Sequence, residues 1–257
     1  QLAIVLQGWL SMNFIHGKPQ ETERAARDVA AARETLSRRY KTVREMSEAL
    51  CRPLAPDDYG LQAVPEVSPA KWHLAHTSWF FETFLLKPFL SGYRPFHPQF
   101  EKLFNSYYEQ VGAPFPRPQR GLLSRPTTEE VLRYRAHVDE SMAALFTAAE
   151  EASWPEIAAR SALGCQHEEQ HQELFLTDIK YNFSINPLKP AYRTDLPIAP
   201  SGGSVALKWL AQPGGVQEIG HSGGGFAFDN ESPRHRLVLA AYALGSRPVT
   251  NGEYLEF

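Results

Sequence analysis

The sequence predicts a mainly α fold, a four-helix bundle, followed by the truncated start of a mixed α/β, β-rich domain. Three observations predict it. Apolar residues recur at helical spacing in four segments before residue 183. The one long connection among them, residues 91–126, is rich in proline and glycine. After residue 183 the pattern changes to short apolar runs broken by glycine, and Leu237, Leu239 and Ala241 alternate with Val238, Ala240 and Tyr242 as in a strand.

Residues 20–50 form the first helix, with Val29, Leu36, Tyr40, Val43 and Leu50 on one face. Its charge run reads as a solvated face, and Pro53 and Pro56 end it. The second helix begins at Ser68 as N-cap, with Pro69 at the first helical position. It carries Trp72, Ala75, His76, Trp79 and Phe80 and stops by Pro88. Residues 91–126 are expected to be a long ordered loop with at most short helices, a kind of loop that is usually functional. Thr127 with Glu130 makes a capping box for the third helix, whose stripe is Val131, Val138, Met142 and Leu145. The fourth runs from about Pro155 to Tyr181, with a bend expected near Gly164. Four such helices suggest an antiparallel bundle.

The domain boundaries follow from composition. Residues 19–185 are the bundle. Residues 186–204 are a linker that leads through four prolines into Ser201-Gly202-Gly203-Ser204. Residues 205–257 are an incomplete β-rich domain, with strands expected over 205–210, 216–219, 226–228 and 237–244. Gly223-Gly224-Gly225 is read as a hairpin tip, and a helix starts at Asn251. So few residues make a poor domain, so the chain reads as a piece of a longer protein. Residues 1–18 are set aside as an N-terminal extension, with Met12 a candidate start.

The 257 residues carry 26 Lys and Arg against 29 Asp and Glu, so no basic field points to nucleic acid or to an anionic membrane as partner. The apolar stretch 2–14 is interrupted by Gln7, Gly8, Ser11 and Asn13 and is too short to span a bilayer. Two cysteines support neither a disulfide framework nor a Cys-rich zinc site, which fits a reducing, cytoplasmic setting.

The strongest local signal is Gln166-His167-Glu168-Glu169-Gln170-His171-Gln172-Glu173. His167 and His171 are four apart, one turn of helix, so both imidazoles can address one ion. Leu163 and Leu174 share their face and are expected to turn it towards a core. Gln170 borders the same stripe, whereas Glu168, Glu169 and Glu173 lie off it. The third ligand is therefore expected from another helix, and His76 on the apolar face of the second is the best candidate. His73, three residues before it, competes for that role or stands behind it. His97 and His137 are weaker candidates. His167 to His171 also matches the H-E-x-x-H pattern of zinc peptidases, with Glu168 as general base and Glu218 or Glu231 as a distant third ligand. Cys165 reads as a buried, inert thiol. Arg117 and Arg120 form a pair suited to a carboxylate.

Three stretches carry a family resemblance. They are Ser68-Pro69-Ala70-Lys71-Trp72-His73-Leu74-Ala75-His76-Thr77, the segment His167 to Glu173, and Phe228-Asp229-Asn230-Glu231-Ser232-Pro233-Arg234-His235 with Arg247-Pro248-Val249-Thr250-Asn251-Gly252-Glu253-Tyr254. Together they resemble the sulfoxide synthases of ergothioneine biosynthesis over about residues 20–257. That family joins a DinB-like four-helix domain to a formylglycine-generating-enzyme-like (sulfatase-modifying-factor) domain. The resemblance implies that His76, His167 and His171 bind Fe(II), that Gln170 lines the pocket for hercynine, and that Arg117 and Arg120 face the carboxylate of the sulfur substrate. It implies O2-dependent joining of the thiol of cysteine or γ-glutamylcysteine to the imidazole of hercynine, giving a sulfoxide. The catalytic tyrosine is expected beyond residue 257, which leaves these residues alone inactive or nearly so. Two alternatives stand beside it: the ovothiol-type synthase, which uses histidine, and a DinB-like metal-binding module without oxygen chemistry.

Overall fold

The computed structural model describes residues 19–106 (side chains from residue 27), 112–197 and 205–257. The N-terminal extension and the Ser-Gly-Gly-Ser part of the linker lie outside them. The chain divides into two compact units, one up to Thr194 and the other Asp195–Phe257.

In the first unit α1 (Pro19–Cys51) buries Tyr40 and Val43 and half-buries Val29, Leu36 and Leu50, the stripe its spacing predicts. Its charges are not all solvated, however. Arg44 is 3% exposed, because carboxylates on two other helices meet it. The central helix is α2 (Ala70–Phe81), in which every residue is buried. Ser68 does not cap it, and Pro69 occupies the cap without a side-chain bond. The reason is competition: the Ser68 hydroxyl accepts from Arg120 (2.9 Å) and its amide donates to Asp178 (2.8 Å). Beyond Phe81 the helix continues through a π turn (Glu82–Leu86) into α3 (Lys87–Phe89), one residue past Pro88.

The connection that follows holds α4 (Phe100–Phe104) and a 3₁₀ turn (Arg117–Leu122). Then α5 (Thr128–Ala148) opens with the expected capping box. Thr127 Oγ1 accepts from the Glu130 amide (3.1 Å), and the Glu130 carboxylate accepts from the Thr127 amide (2.7 Å). Its stripe Val131, Val138, Met142 and Leu145 is buried, and so are Tyr134 and Arg135. The last bundle helix, α6 (Trp154–Ile185), is continuous through Gly164.

Helix directions differ from a simple antiparallel bundle. Arg33 of α1 reaches the Phe146 and Ala149 carbonyls near the end of α5, while Arg135 near its start reaches Glu48 of α1, so these two helices are antiparallel. At the start of α2, Lys71 donates to Pro126 beside the start of α5, and Glu82 past its end accepts from Tyr134. So α2 and α5 run the same way, and the long connection 90–127 is the crossover that this requires.

Close approach of α6 to α2 depends on Gly164. A Cβ there would lie 2.5 Å from Phe81 Cε1 and 2.9 Å from Phe80 Cε1. Phe81 is fully buried and cannot swing away. Gly164→Ala should therefore destabilise by up to about 2 kcal/mol, since overpacking of about 1–3 kcal/mol is set against a helix-propensity gain of about 1. Chemical denaturation measures this; a more stable variant would refute the close packing.

The second unit is an antiparallel ribbon. β1 (Trp209–Gln212) pairs with β4 (Tyr242–Gly245), and β2 (Gly215–Ile219) with β3 (His235–Leu239). The run 237–244 is thus two strands, not one, and 226–228 is not a strand. The break lies where Gly214 passes the opposite strand: a Cβ there would meet the Ala241 amide nitrogen at 2.8 Å. The triple glycine lies in the β2–β3 connection, and α7 (Asn251–Glu256) is capped by Thr250 with Glu253. No described residue of this unit is buried, as expected of a lone two-stranded ribbon.

Candidate metal centre

His76 on α2 and His167 and His171 on α6 bring one ring nitrogen each to within 4.8 Å of the others. Their ring centroids lie 4.6–5.0 Å apart. The two α6 residues converge because they sit one turn apart, and His76 faces them because α2 lies against α6. An ion bound at about 2.1 Å to each nitrogen needs N···N separations of roughly 3.0–3.4 Å, which small side-chain rotations supply.

Hydrogen bonds prepare the donors. His76 Nδ1–H donates to the Phe104 carbonyl (2.5 Å), so the proton sits on Nδ1 and Nε2 keeps its lone pair. A backbone carbonyl cannot donate, which leaves no other tautomer for this bond. Trp72 and Trp79 stack on the same ring at 4.5 and 5.5 Å between centroids. His171 Nδ1 lies 2.9 Å from His73 Nδ1, and His73 Nε2 lies 3.1 Å from Asp178 Oδ2. His167 Nδ1 is buried without a partner among the described residues. An unsatisfied buried ring nitrogen beside two other imidazoles fits a group of donors that could hold a metal ion.

Electrostatics favour the neutral, ligating form. Burial lowers the pKa of His167 to about 4. Burial, then the neighbouring His167, depresses His76; burial, then His76 and His73, depresses His171. All three are therefore neutral near pH 7, as metal binding requires. Burial likewise lowers His73, opposed by its bond to Asp178.

Glu168 is not a general base. Its carboxylate is fully buried on the other side of α6, where Oε1 accepts from Ser47 (2.7 Å) and Arg135 (3.0 Å) and Oε2 from Arg44 (3.0 Å). Burial alone would raise its pKa, but the two guanidinium charges outweigh that and bring it to about 2. Glu169 pairs with Arg39, and Glu173 is exposed. Glu218 is engaged by Arg234 and Glu231 by the Phe228 amide. The peptidase reading lacks its base. His97 and His137 bond elsewhere, His97 to the nearby Gln99 amide and His137 to the Arg94 carbonyl, 43 residues away in sequence.

The other sequence candidates fall in different places. Arg120 is buried with its guanidinium 3.4 Å from the Trp72 ring centroid, one ring from the histidines, and its charge contributes to depressing His73, His76 and His171. Arg117 acts on His73 in the same sense. Gln170 is exposed, next to the histidine pair in sequence. Leu163 and Leu174 are exposed at 40% and 37%, so they do not turn the histidine face inward. The buried rings of α2 do that instead, with Phe80 at 4.9 Å from His167 and Trp72 at 6.2 Å from His171. Cys165 is buried and free, and burial pushes its thiol up to about 12. Sequence reading missed the buried arginines Arg44 and Arg135. Their only signal was position on the apolar stripes, where Arg44 follows Val43 and Arg135 follows Tyr134.

The family model of the DinB superfamily matches residues 39–175, more than half the chain and all three histidines. The chain belongs to the DinB superfamily. It is also similar to a protein named hercynine oxygenase from Mycolicibacterium smegmatis, with 29% identity over 239 residues, 88% of this chain and 50% of that protein. The chain thus spans about half the length of the curated relative it matches. Among the described residues no helix is long and apolar enough to cross a membrane.

Proposed function

We propose that this chain is the metal-holding part of a non-haem Fe(II)- and O2-dependent sulfoxide synthase. It would join the thiol of cysteine or γ-glutamylcysteine to the imidazole of hercynine. The observation that carries the reading is the meeting of three neutral imidazoles, one already tied through Nδ1, in a DinB bundle similar to a hercynine oxygenase. Fe(II) held by three neutral imidazoles keeps its full charge and open positions, and supplies one-electron chemistry towards O2.

The chain's own residues do the rest. Trp72, Trp79 and Phe80 close the α2 side of the site against water. Arg120, with Arg117 nearby, provides a fixed positive charge for a substrate carboxylate, held by Ser68, Ser106 and the Trp72 face. Gln170, on the exposed rim of α6, is assigned to hercynine. Residues 205–257 are read as the opening of a formylglycine-generating-enzyme-like domain, and the catalytic tyrosine is expected outside residues 1–257. No membrane or nucleic-acid partner enters the reading, and its setting is cytoplasmic.

O2 uptake by the whole protein, loaded with Fe(II), tests this. Uptake should require both hercynine and a thiol and give a sulfoxide, while residues 1–257 alone should bind iron and turn over little. Uptake with histidine in place of hercynine would move the assignment to the ovothiol-type reaction. Metal binding without uptake on any pair would leave only a metal-binding module.

A further inference from the structure

Behind His171 lies a chain of polar contacts that the metal site alone does not explain. Asp178, one turn before the end of the buried part of α6, accepts at Oδ2 from the Ser68 amide (2.8 Å) and contacts His73 Nε2 at 3.1 Å through the same oxygen. His73 Nδ1 then faces His171 Nδ1 at 2.9 Å. Asp178 and His73 are both buried.

With His73 neutral, hydrogen-bond bookkeeping leaves one arrangement. A carboxylate only accepts, so the bond to Asp178 requires the His73 proton on Nε2. A neutral imidazole has one N–H, so His73 Nδ1 is then an acceptor. Two ring nitrogens 2.9 Å apart cannot both present lone pairs, so His171 Nδ1 carries its proton and donates to His73. The lone pair of His171 is thereby left on Nε2. His76 reaches the same state by another route, through the Phe104 carbonyl.

We infer that Asp178 and His73 form a hydrogen-bonded relay that sets the tautomer of His171 and holds its Nε2 ready for the metal. Both are positioning residues and neither is a ligand. The Ser68 amide locks the far end of the relay, because Asp178 cannot turn without giving up that bond. The link to a metal rests on the reading above; the tautomer assignment does not. A carboxylate–imidazole pair behind a ligand also makes that ligand a better donor, and loss of such a partner commonly costs about 10–100-fold in metal affinity.

The test has two readouts on the chain of 257 residues. In the metal-free protein, long-range ¹⁵N–¹H correlation of the histidine rings should show His171 protonated on Nδ1 and His73 on Nε2, with assignments made from His73→Phe and His171→Gln. Titration with Co(II) should show His73→Phe about 10–100-fold weaker than the parent. His73→Gln, which keeps an amide donor and acceptor, should recover part of the loss and covers the case in which the Phe variant misfolds. Finding His171 protonated on Nε2 in the parent overturns the relay. So does equal Co(II) affinity of a folded His73→Phe variant. A parent that binds no Co(II) but shows the stated tautomers would refute the metal reading and leave the relay standing.

Discussion

Replacing Glu168 with Gln will cost the fold about 3 kcal/mol or more at pH 7, although the change is nearly isosteric. Removing one partner of a buried ion pair costs about 3–5 kcal/mol, because the other charge is left without compensation. Here two charges lose a partner: Arg44 and Arg135 are each at most 3% exposed and both donate to this carboxylate, and each keeps one other carboxylate, Asp139 at 2.7 Å and Glu48 at 3.4 Å. Arg44 keeps its contacts with Asp139 and Ser78, and Arg135 those with Thr77 and the Leu74 carbonyl, which moderates the loss. The network ties α1, α2, α5 and α6 together and fixes the rotation of α6 about its axis. His167 precedes Glu168 directly, so the same contact aims this candidate ligand.

The pH dependence has a defined sign. Unfolded, this carboxyl titrates near 4.5; folded, it holds its charge down to about 2. Its contribution is therefore complete above about pH 4.5 and is lost as pH falls towards 2. The stability gap between the parent and Glu168→Gln should be widest near neutral pH and should narrow below 4.5, as urea denaturation at a series of pH values will show. A gap that is small, or constant across that range, would mean that the arginines do not depend on Glu168.

His167→Ala is expected to weaken metal binding by at least about 100-fold, since loss of a ligand should exceed the 10–100-fold typical of an outer hydrogen-bond partner. The same loss has a thermodynamic reading. An ion at one hundred times its Kd should stabilise the parent by about 2.7 kcal/mol. At that concentration the variant should gain only a few tenths, measured against its own metal-free stability, which loses ring packing but no hydrogen bond of Nδ1 among the described residues. Thermal melts with and without Fe(II) under anaerobic conditions measure both quantities. Equal stabilisation of the two proteins would remove His167 from the ligand set.

Much of this was legible in the sequence because it rests on helical period and local chemistry. The i, i+4 histidine pair, His76 on an apolar face, the Thr127–Glu130 capping box and the stripe of α5 all depend on residues within a turn or two of each other. What was not legible depends on partners distant in sequence. A charge run cannot say which arginine meets a carboxylate 124 residues away, as Arg44 meets Glu168. Nor can it say that Leu163 and Leu174 stay exposed while rings from α2 bury their histidine neighbours. The relay through His73 joins α2 to α6 in the same non-local way. The ribbon shows the same limit, because a clean apolar alternation over 237–244 conceals the break that Gly214 on the opposite strand imposes.

The central claim is that His76, His167 and His171 share one ion. Iron-edge X-ray absorption on the chain loaded anaerobically with Fe(II), beside its His76→Ala variant, tests it most directly. The account predicts scattering from three imidazoles in the parent and two in the variant. Spectra that show the same imidazole count in both would contradict it.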